Sequence, residues 1–159
     1  MGVEFFLKFS TRTRYGLRAM IELALSYKSK RLVSLNEIAQ SQDISHAYLE
    51  QLIVPLRKGG LVRSVRGAQG GYCLSREPSQ ITAGEIIQCL DGPIAPTDCV
   101  CLEVPIACNR DRICASKSLW EKIRCSIVKI LDETTLEHLA DEAFAKEGDR
   151  NICNHLFKE

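Results

Sequence analysis

The 159 residues carry 21 Lys and Arg against 20 Asp and Glu, and 45% of them are hydrophobic, the balance of one ordinary globular unit. No apolar run reaches the ~20 residues of a membrane span, and the N-terminus lacks a secretory pattern. The eight cysteines of what reads as a cytoplasmic chain therefore point to metal or redox chemistry rather than a disulfide framework.

The net charge of +1 conceals two unlike halves. Residues 8–76 hold twelve Lys and Arg against four Asp and Glu, a net +8, whereas residues 77–159 hold nine against fifteen, a net −6. A basic half attracts polyanions, and an acidic half keeps the chain soluble.

Residues 1–8 precede the first cap and read as a short strand or an extension. Ser10 or Thr11 caps a helix reaching about Tyr27, with Leu17, Met20, Ile21, Ala24 and Tyr27 at helical spacing. Its other face carries Arg12, Arg14 and Arg18, open to solvent or to phosphates. Ser34 or Asn36 starts a short second helix with Ile38 and Ala39 inward, and Gln42 to Ser45 reads as a tight turn. A third helix runs from His46 to about Lys58 on a buried stripe of Tyr48, Leu49, Leu52, Ile53 and Leu56, leaving His46, Ala47, Glu50 and Gln51 outward. Pro55 removes a backbone donor and should kink or shorten it. Two helices joined by a tight turn, the second exposing its N-terminal end, are helix-turn-helix geometry, which many helical hairpins share.

The next segment narrows the choice. Leu61 to Arg66 reads as a strand, Gly67 to Gly71 as a turn, and Tyr72 to Leu74 as the returning strand. A hairpin directly after the third helix is a wing. Arg66 beside the glycine turn, with Gln69 at the tip, suits a minor groove; a plain hairpin with solvated arginines is the simpler alternative. Glu77-Pro78 closes a winged unit over residues 8–78. A connecting helix over Ile81–Leu90, within residues 79–93, ends at Asp91-Gly92-Pro93. Cys73 and Cys89 read as small buried hydrophobes.

Residues 94–115 form a loop in which Cys99, Cys101, Cys108 and Cys114 have the spacing C-x-C-x6-C-x5-C. C-x-C is unusual for structural zinc, and the wider gaps suit a cluster whose metals present separated ligand positions. Chemistry alone leaves an iron–sulfur cluster, zinc and a thiol switch open. From Ser116, Leu119, Trp120, Ile123, Ile127, Ile130, Leu131 and Thr134 make a narrow seam, either for the chain's own core or for a dimer helix. Thr134-x-x-Glu137 reads as a capping box for a short final helix ending near residue 147, with residues 148–159 a tail. Cys125 and Cys153 have no spacing partner, and His138 and His155 read as surface residues. No nucleotide-binding glycine loop and no Ser/His/Asp set occurs, so an enzyme or cluster carrier is not expected.

Ser10-Thr11-Arg12, Arg14-Tyr15-Gly16, Tyr48-Leu49-Glu50-Gln51-Leu52, Leu56-Arg57-Lys58, Gly60-Leu61-Val62, Val65-Arg66-Gly67 and Gly70-Gly71-Tyr72 together resemble the IscR-like winged-helix regulators of the Rrf-two superfamily, over about Lys8 to Glu147. The resemblance implies a mainly α fold with a small hairpin wing and a long C-terminal dimerisation helix. It implies a homodimer on a pseudo-palindromic stretch of double-stranded DNA, with Glu50 and Gln51 at base edges and Arg66 in the minor groove. Arg12, His46, Ala47, Tyr48, Arg57 and Gln69 complete the expected DNA-facing set. It further implies an iron–sulfur cluster, usually 2Fe–2S and 4Fe–4S in a nitric-oxide-sensing branch, with Cys99, Cys108 and Cys114 on the family cysteines. The family's histidine ligand is Lys117 here, so Cys101 is the expected fourth ligand, with Glu103 or a partner-subunit residue as alternatives. A related branch is metal-free and senses sulfur supply through a partner protein.

Overall fold

In a computed structural model, described over residues 9–67, 69–103 and 108–156, six helices and one hairpin follow in order. They are α1 (Thr11–Leu25), α2 (Leu35–Gln42), α3 (His46–Lys58), β1 (Val62–Val65), β2 (Gly71–Leu74), α4 (Ala83–Asp91), α5 (Lys117–Glu133) and α6 (Leu136–Leu156). Short 3-10 turns at Pro78–Gln80 and Asp98–Val100 flank α4. The expected mainly α fold with a hairpin wing is the one observed. The stretch 1–8, and Pro105 within the cysteine loop, lie outside the described residues. No described helix is long and apolar enough to cross a membrane.

Local chemistry sets the helix starts. Ser10, Ser34, Ser45 and Thr82 each accept a hydrogen bond from the backbone amide three residues on, satisfying a donor that has no partner within the helix. Ser34 with Glu37 and Thr82 with Glu85 form reciprocal capping boxes. The Ser34 amide, Arg31 and the Ser34 hydroxyl hold the Glu37 carboxyl at about 2. Asp43 ends α2 in the left-handed conformation, at φ 51°, one of the few side chains that tolerates it.

α3 is not cut short by Pro55. It runs on to Lys58, and the Pro55 carbonyl accepts from the Gly59 amide at 2.8 Å. The carbonyl that Pro55 deprives belongs to the exposed Gln51, on the watered side. The hairpin pairs Val62 with Leu74 and Val65 with Gly71. Gly67 opens its turn at φ +125°, a conformation closed to side-chain-bearing residues. Val33 and Tyr72 exchange two backbone hydrogen bonds, tying the chain before α2 to the outer edge of the wing.

One apolar core joins Met20 and Leu23 of α1, Ile38 of α2, Leu49, Leu52 and Leu56 of α3, and Leu74 of β2 to Ile81, Ile86 and Leu90 around α4 and Leu136 of α6. The core thus extends past Pro78. α1 and α4 meet where Gly16 lies so close to Leu90 that a Cβ would collide with it. α5 contributes no fully buried residue; Leu119 is 52% and Ile130 62% exposed.

Two expectations near the C-terminus change. The final helix runs Leu136–Leu156, not a short helix to residue 147 followed by a tail. Its cap is Thr135, whose hydroxyl accepts from the His138 amide at 3.3 Å, while the Thr134 hydroxyl turns back to the Ile130 carbonyl at 2.7 Å. The backbone dictates that choice. The Ala83 amide donates to the Thr134 carbonyl (2.9 Å) and the Leu136 amide to the Ile81 carbonyl (2.8 Å), splicing the α5–α6 corner to the start of α4. Cys73 and Cys89 are half-buried rather than buried, and the Cys73 thiol sits 3.0 Å from the Arg63 guanidinium.

Candidate nucleic-acid interface and cysteine site

α3 presents His46, Ala47, Glu50 and Gln51 to solvent from its first two turns. The His46 Nδ1 and Glu50 carboxylate lie 3.7 Å apart, an ion pair only when the imidazole is protonated. Tyr48 does not join this exposed row. Its ring is half-buried and meets Tyr15 edge-to-face at 6.0 Å, so its main contact fastens α3 to α1. Two arginines of α1 lie over the Tyr15 ring, Arg18 at 5.4 Å and Arg14 at 6.0 Å. Arg18 also donates to the Gln42 side chain at 2.6 Å, bracing the turn between α2 and α3. The sequence places Arg18 on a face open to solvent or to phosphates, and nothing local in it pairs Arg18 with Gln42.

The wing stands beside α3. Arg66 and Gln69 are exposed at its tip, and Arg66 makes no hydrogen bond or ion pair among the described residues. Arg57, at the end of α3, reaches the Ser64 hydroxyl of β1 at 3.5 Å. Arg12 is exposed on the first turn of α1, near Asp91. Exposed polar residues on α3 and a wing arginine with no partner among the described residues are groups of the kind that read base edges and enter a minor groove.

Asp91, the last residue of α4, joins that helix to the start of α1. Its carboxylate accepts from the Ser10 hydroxyl (2.6 Å), the Thr13 hydroxyl (2.5 Å) and the Ser10 amide (3.3 Å). Burial alone would raise this carboxyl, but those hydrogen bonds, with Arg12 nearby, hold it below the usual carboxylate range.

Beyond Asp91 the loop leads to Cys99, half-buried with the Thr97 hydroxyl at 3.3 Å. Cys101 is half-buried, 3.7 Å from the Glu103 carboxylate. Cys108 is exposed, and half-buried Cys114 has the Ser116 hydroxyl at 3.2 Å. The Ser116 hydroxyl and amide lower the Cys114 thiol below its ordinary range, outweighing burial, with the Lys117 amide and Arg110 adding to the effect. The 3-10 turn at Asp98–Val100 packs on α5, and the Lys117 amide donates to the Cys114 carbonyl at 3.2 Å, so both ends of the loop meet the base of α5. Lys117, at the expected histidine position, is ion-paired to Asp111 at 2.5 Å. That bond raises it above its ordinary range against some burial, with Asp111, Glu121 and Cys99 adding negative charge. It remains a cation and donates no lone pair to a metal.

Among the described residues no three His, Cys, Asp or Glu side chains converge closely enough to hold a metal ion. The donor chemistry nevertheless suits a thiolate-held group: four soft thiols and no histidine between residues 99 and 114. On α5, the Arg124 Nε is buried without a hydrogen-bond partner among the described residues.

Residues 9–142 match the family described as Rrf2, iron-dependent transcriptional regulator. The HTH-type transcriptional regulator CymR of Bacillus subtilis is 48% identical over 134 residues, spanning 84% of this chain and 90% of that protein. The solved structure of CymR, the global cysteine regulator of B. subtilis, superposes with a TM-score of 0.74 at 47% identity, covering 86% of this chain and 98% of that one. The structure of T. potens IscR superposes with a TM-score of 0.69 at 44% identity, covering 86% and 88%.

Proposed function

The chain belongs to the Rrf2 family of transcriptional regulators, and from that premise we propose a homodimeric repressor whose hold on a pseudo-palindromic operator is set by an iron–sulfur cluster, 2Fe–2S, on Cys99, Cys101, Cys108 and Cys114. The protein is a DNA-binding regulator rather than an enzyme. α3 enters the major groove with Glu50 and Gln51 at base edges, and Arg66 enters the minor groove. The exposed apolar seam of α5 and the unpartnered Arg124 Nε support a second copy covering that helix.

The observation that carries the sensing reading is the attachment of the cysteine loop. It leaves the end of α4, which Asp91 pins to α1, and both its 3-10 turn and Cys114 meet the base of α5. A bound cluster supplies a thiolate cross-link sensitive to redox state, nitric oxide and iron–sulfur supply. The residues around it supply hydroxyls to Cys99 and Cys114 and a cation at Lys117. A state-dependent grip on DNA requires only that the operator favour one arrangement of the two heads.

A second reading is a cluster-free regulator of sulfur supply, acting through a partner protein or thiol oxidation. The 48% identity to CymR favours it. The deciding experiment is the visible spectrum, with iron and sulfide assays, of protein purified without oxygen, beside Cys101→Ala and Lys117→Ala. Brown wild type bleached by Cys101→Ala and retained in Lys117→Ala supports the four-cysteine cluster. Brown protein indifferent to Cys101 refutes that ligand set. Colourless protein, iron-free even after reconstitution, refutes the cluster and leaves the second reading.

A further inference from the structure

Away from both the DNA face and the cysteine loop, α1 and α6 enclose a trough of about 450 Å3 with the Pro78–Gln80 turn, a volume in the range of small-molecule sites. Its floor is Ala24 and Ala140, both in the core. Two small residues facing each other leave space that larger side chains would fill. Leu25, Tyr27 and Pro78 are half-buried along the walls, and Phe144 stands at the end with 72% of its surface exposed.

The charges around this apolar floor are unbalanced. Glu77, Glu137 and Asp141 line the trough against a single cation, Lys28. Lys28 is engaged with Asp141 at 3.9 Å. The Glu77 and Glu137 carboxylates enter no hydrogen bond or ion pair among the described residues, unlike Glu37 and Glu85, which cap helices. Two unengaged carboxylates over an apolar floor, flanked by the Tyr27 and Phe144 rings, match a ligand with a cationic head and a short apolar body. Carboxylates accept from its N–H groups, and aromatic faces attract the cation further.

We infer that this trough binds a small organic cation, an amine- or guanidinium-bearing molecule of amino-acid to dipeptide size. The site is independent of the cluster reading, since none of its lining residues belongs to the cysteine loop. It joins the C-terminal end of α1 to the helix that follows the α5–α6 corner, so a ligand there bridges the DNA-binding head and the C-terminal helix.

The test is a titration of the intact 15N-labelled protein with L-argininamide at physiological salt, where loose surface attraction is screened. The expected result is a saturable set of amide shifts confined to Ala24–Lys28, Ser79 and Glu137–Phe144, with a dissociation constant of about 1 mM or tighter. The double variant Glu77→Gln, Glu137→Gln should weaken it at least about tenfold with an unchanged melting temperature. Phe144→Ala should weaken it as well. Glu133→Gln with Glu142→Gln, the same charge change placed outside the trough, should not. Shifts that never saturate, or that respond equally to both charge pairs, would reduce the effect to surface screening and overturn the site. Shifts at these amides that follow protein concentration without the probe would make the trough an interface between copies and also overturn it.

Discussion

Removal of the Asp91 side chain tests the joint between α1 and α4. In Asp91→Ala the Thr13 hydroxyl, on a residue only 3% exposed, loses its acceptor, and a buried hydroxyl without a partner costs about 1–3 kcal/mol. The two Ser10 bonds lie at the surface and are worth about 1 kcal/mol or less together after solvent screening. The expected loss is therefore about 1–4 kcal/mol at neutral pH. Urea unfolding at matched protein concentration should show a midpoint lower by about 1 M with an unchanged slope. The pH dependence follows from the depressed folded-state carboxyl. Its stabilisation is complete above the ordinary carboxylate value and is lost as pH falls through the lower folded value, because the unfolded chain then binds the proton more readily. The gap between wild type and Asp91→Ala should narrow as acid is added below about pH 4. A neutral-pH difference under about 0.5 kcal/mol, or a gap that stays constant into acid, would refute the assignment.

Arg66→Ala should weaken operator binding about tenfold and reduce the magnitude of the log-salt slope by about 1, measured by fluorescence anisotropy with the circular dichroism unchanged; full affinity at every salt concentration would place the wing off the DNA. Ile130→Glu on the exposed seam of α5 should weaken self-association by at least about 100-fold in sedimentation, and an unchanged dimer would move the interface to another face. Leu136→Ala removes a fully enclosed side chain and should cost about 2–5 kcal/mol in thermal or urea unfolding; a loss under about 1 kcal/mol would detach α6 from the core.

The first four helices were legible because local signals agreed. A serine or threonine stands directly before each apolar stripe, and Glu37 and Glu85 complete two of the four caps. Agreement failed where the deciding contact is remote. In isolation Thr134 is the better cap because Glu137 completes its box, and the backbone bonds to Ile81 and Ala83 select Thr135 instead. Tyr48 belongs to the buried stripe and to the DNA-facing row at once; only Tyr15, on another helix, turns its ring inward. Past Phe144 the run from Lys146 to Asn151 is polar and contains Gly148, a poor helix former, so the apolar period breaks before it resumes at Ile152, Cys153 and Leu156 and the helix reads as ending near residue 147. In the cysteine stretch, spacing named four candidate donors but says nothing of their convergence, which depends on side-chain rotamers and on any ligand that would gather them. The pairing of Lys117 with Asp111 was equally invisible, since six residues across a loop correspond to no regular spacing.

The cysteine loop links the end of α4 to the start of α5, whose far end is spliced to α4 at the α5–α6 corner. On one side Asp91 fixes it to α1, and Tyr15 carries that attachment to Tyr48 of α3. Ile86, Leu90 and Leu136 are 4% exposed or less, and a close-packed head of this kind rotates more readily than it deforms. On the other side α5 holds the loop by Cys114 and Lys117 and has no fully enclosed side chain of its own. A change in the loop's span is therefore expected to pivot α5 about the α5–α6 corner, where backbone bonds hold it to α4, while the shape of α3 is preserved. In the proposed dimer the angle of that pivot would set the separation of the two α3 helices, and neighbouring half-sites on DNA are about 34–36 Å apart. Spin labels carried on an unnatural amino acid at position 51, measured in iron-free and in anaerobically reconstituted protein, read the separation directly. A shift of several ångströms is expected from a lever of this kind. Coincident distance distributions would mean that the loop does not move the heads, and any control of DNA binding by the loop would have to arise within a single subunit.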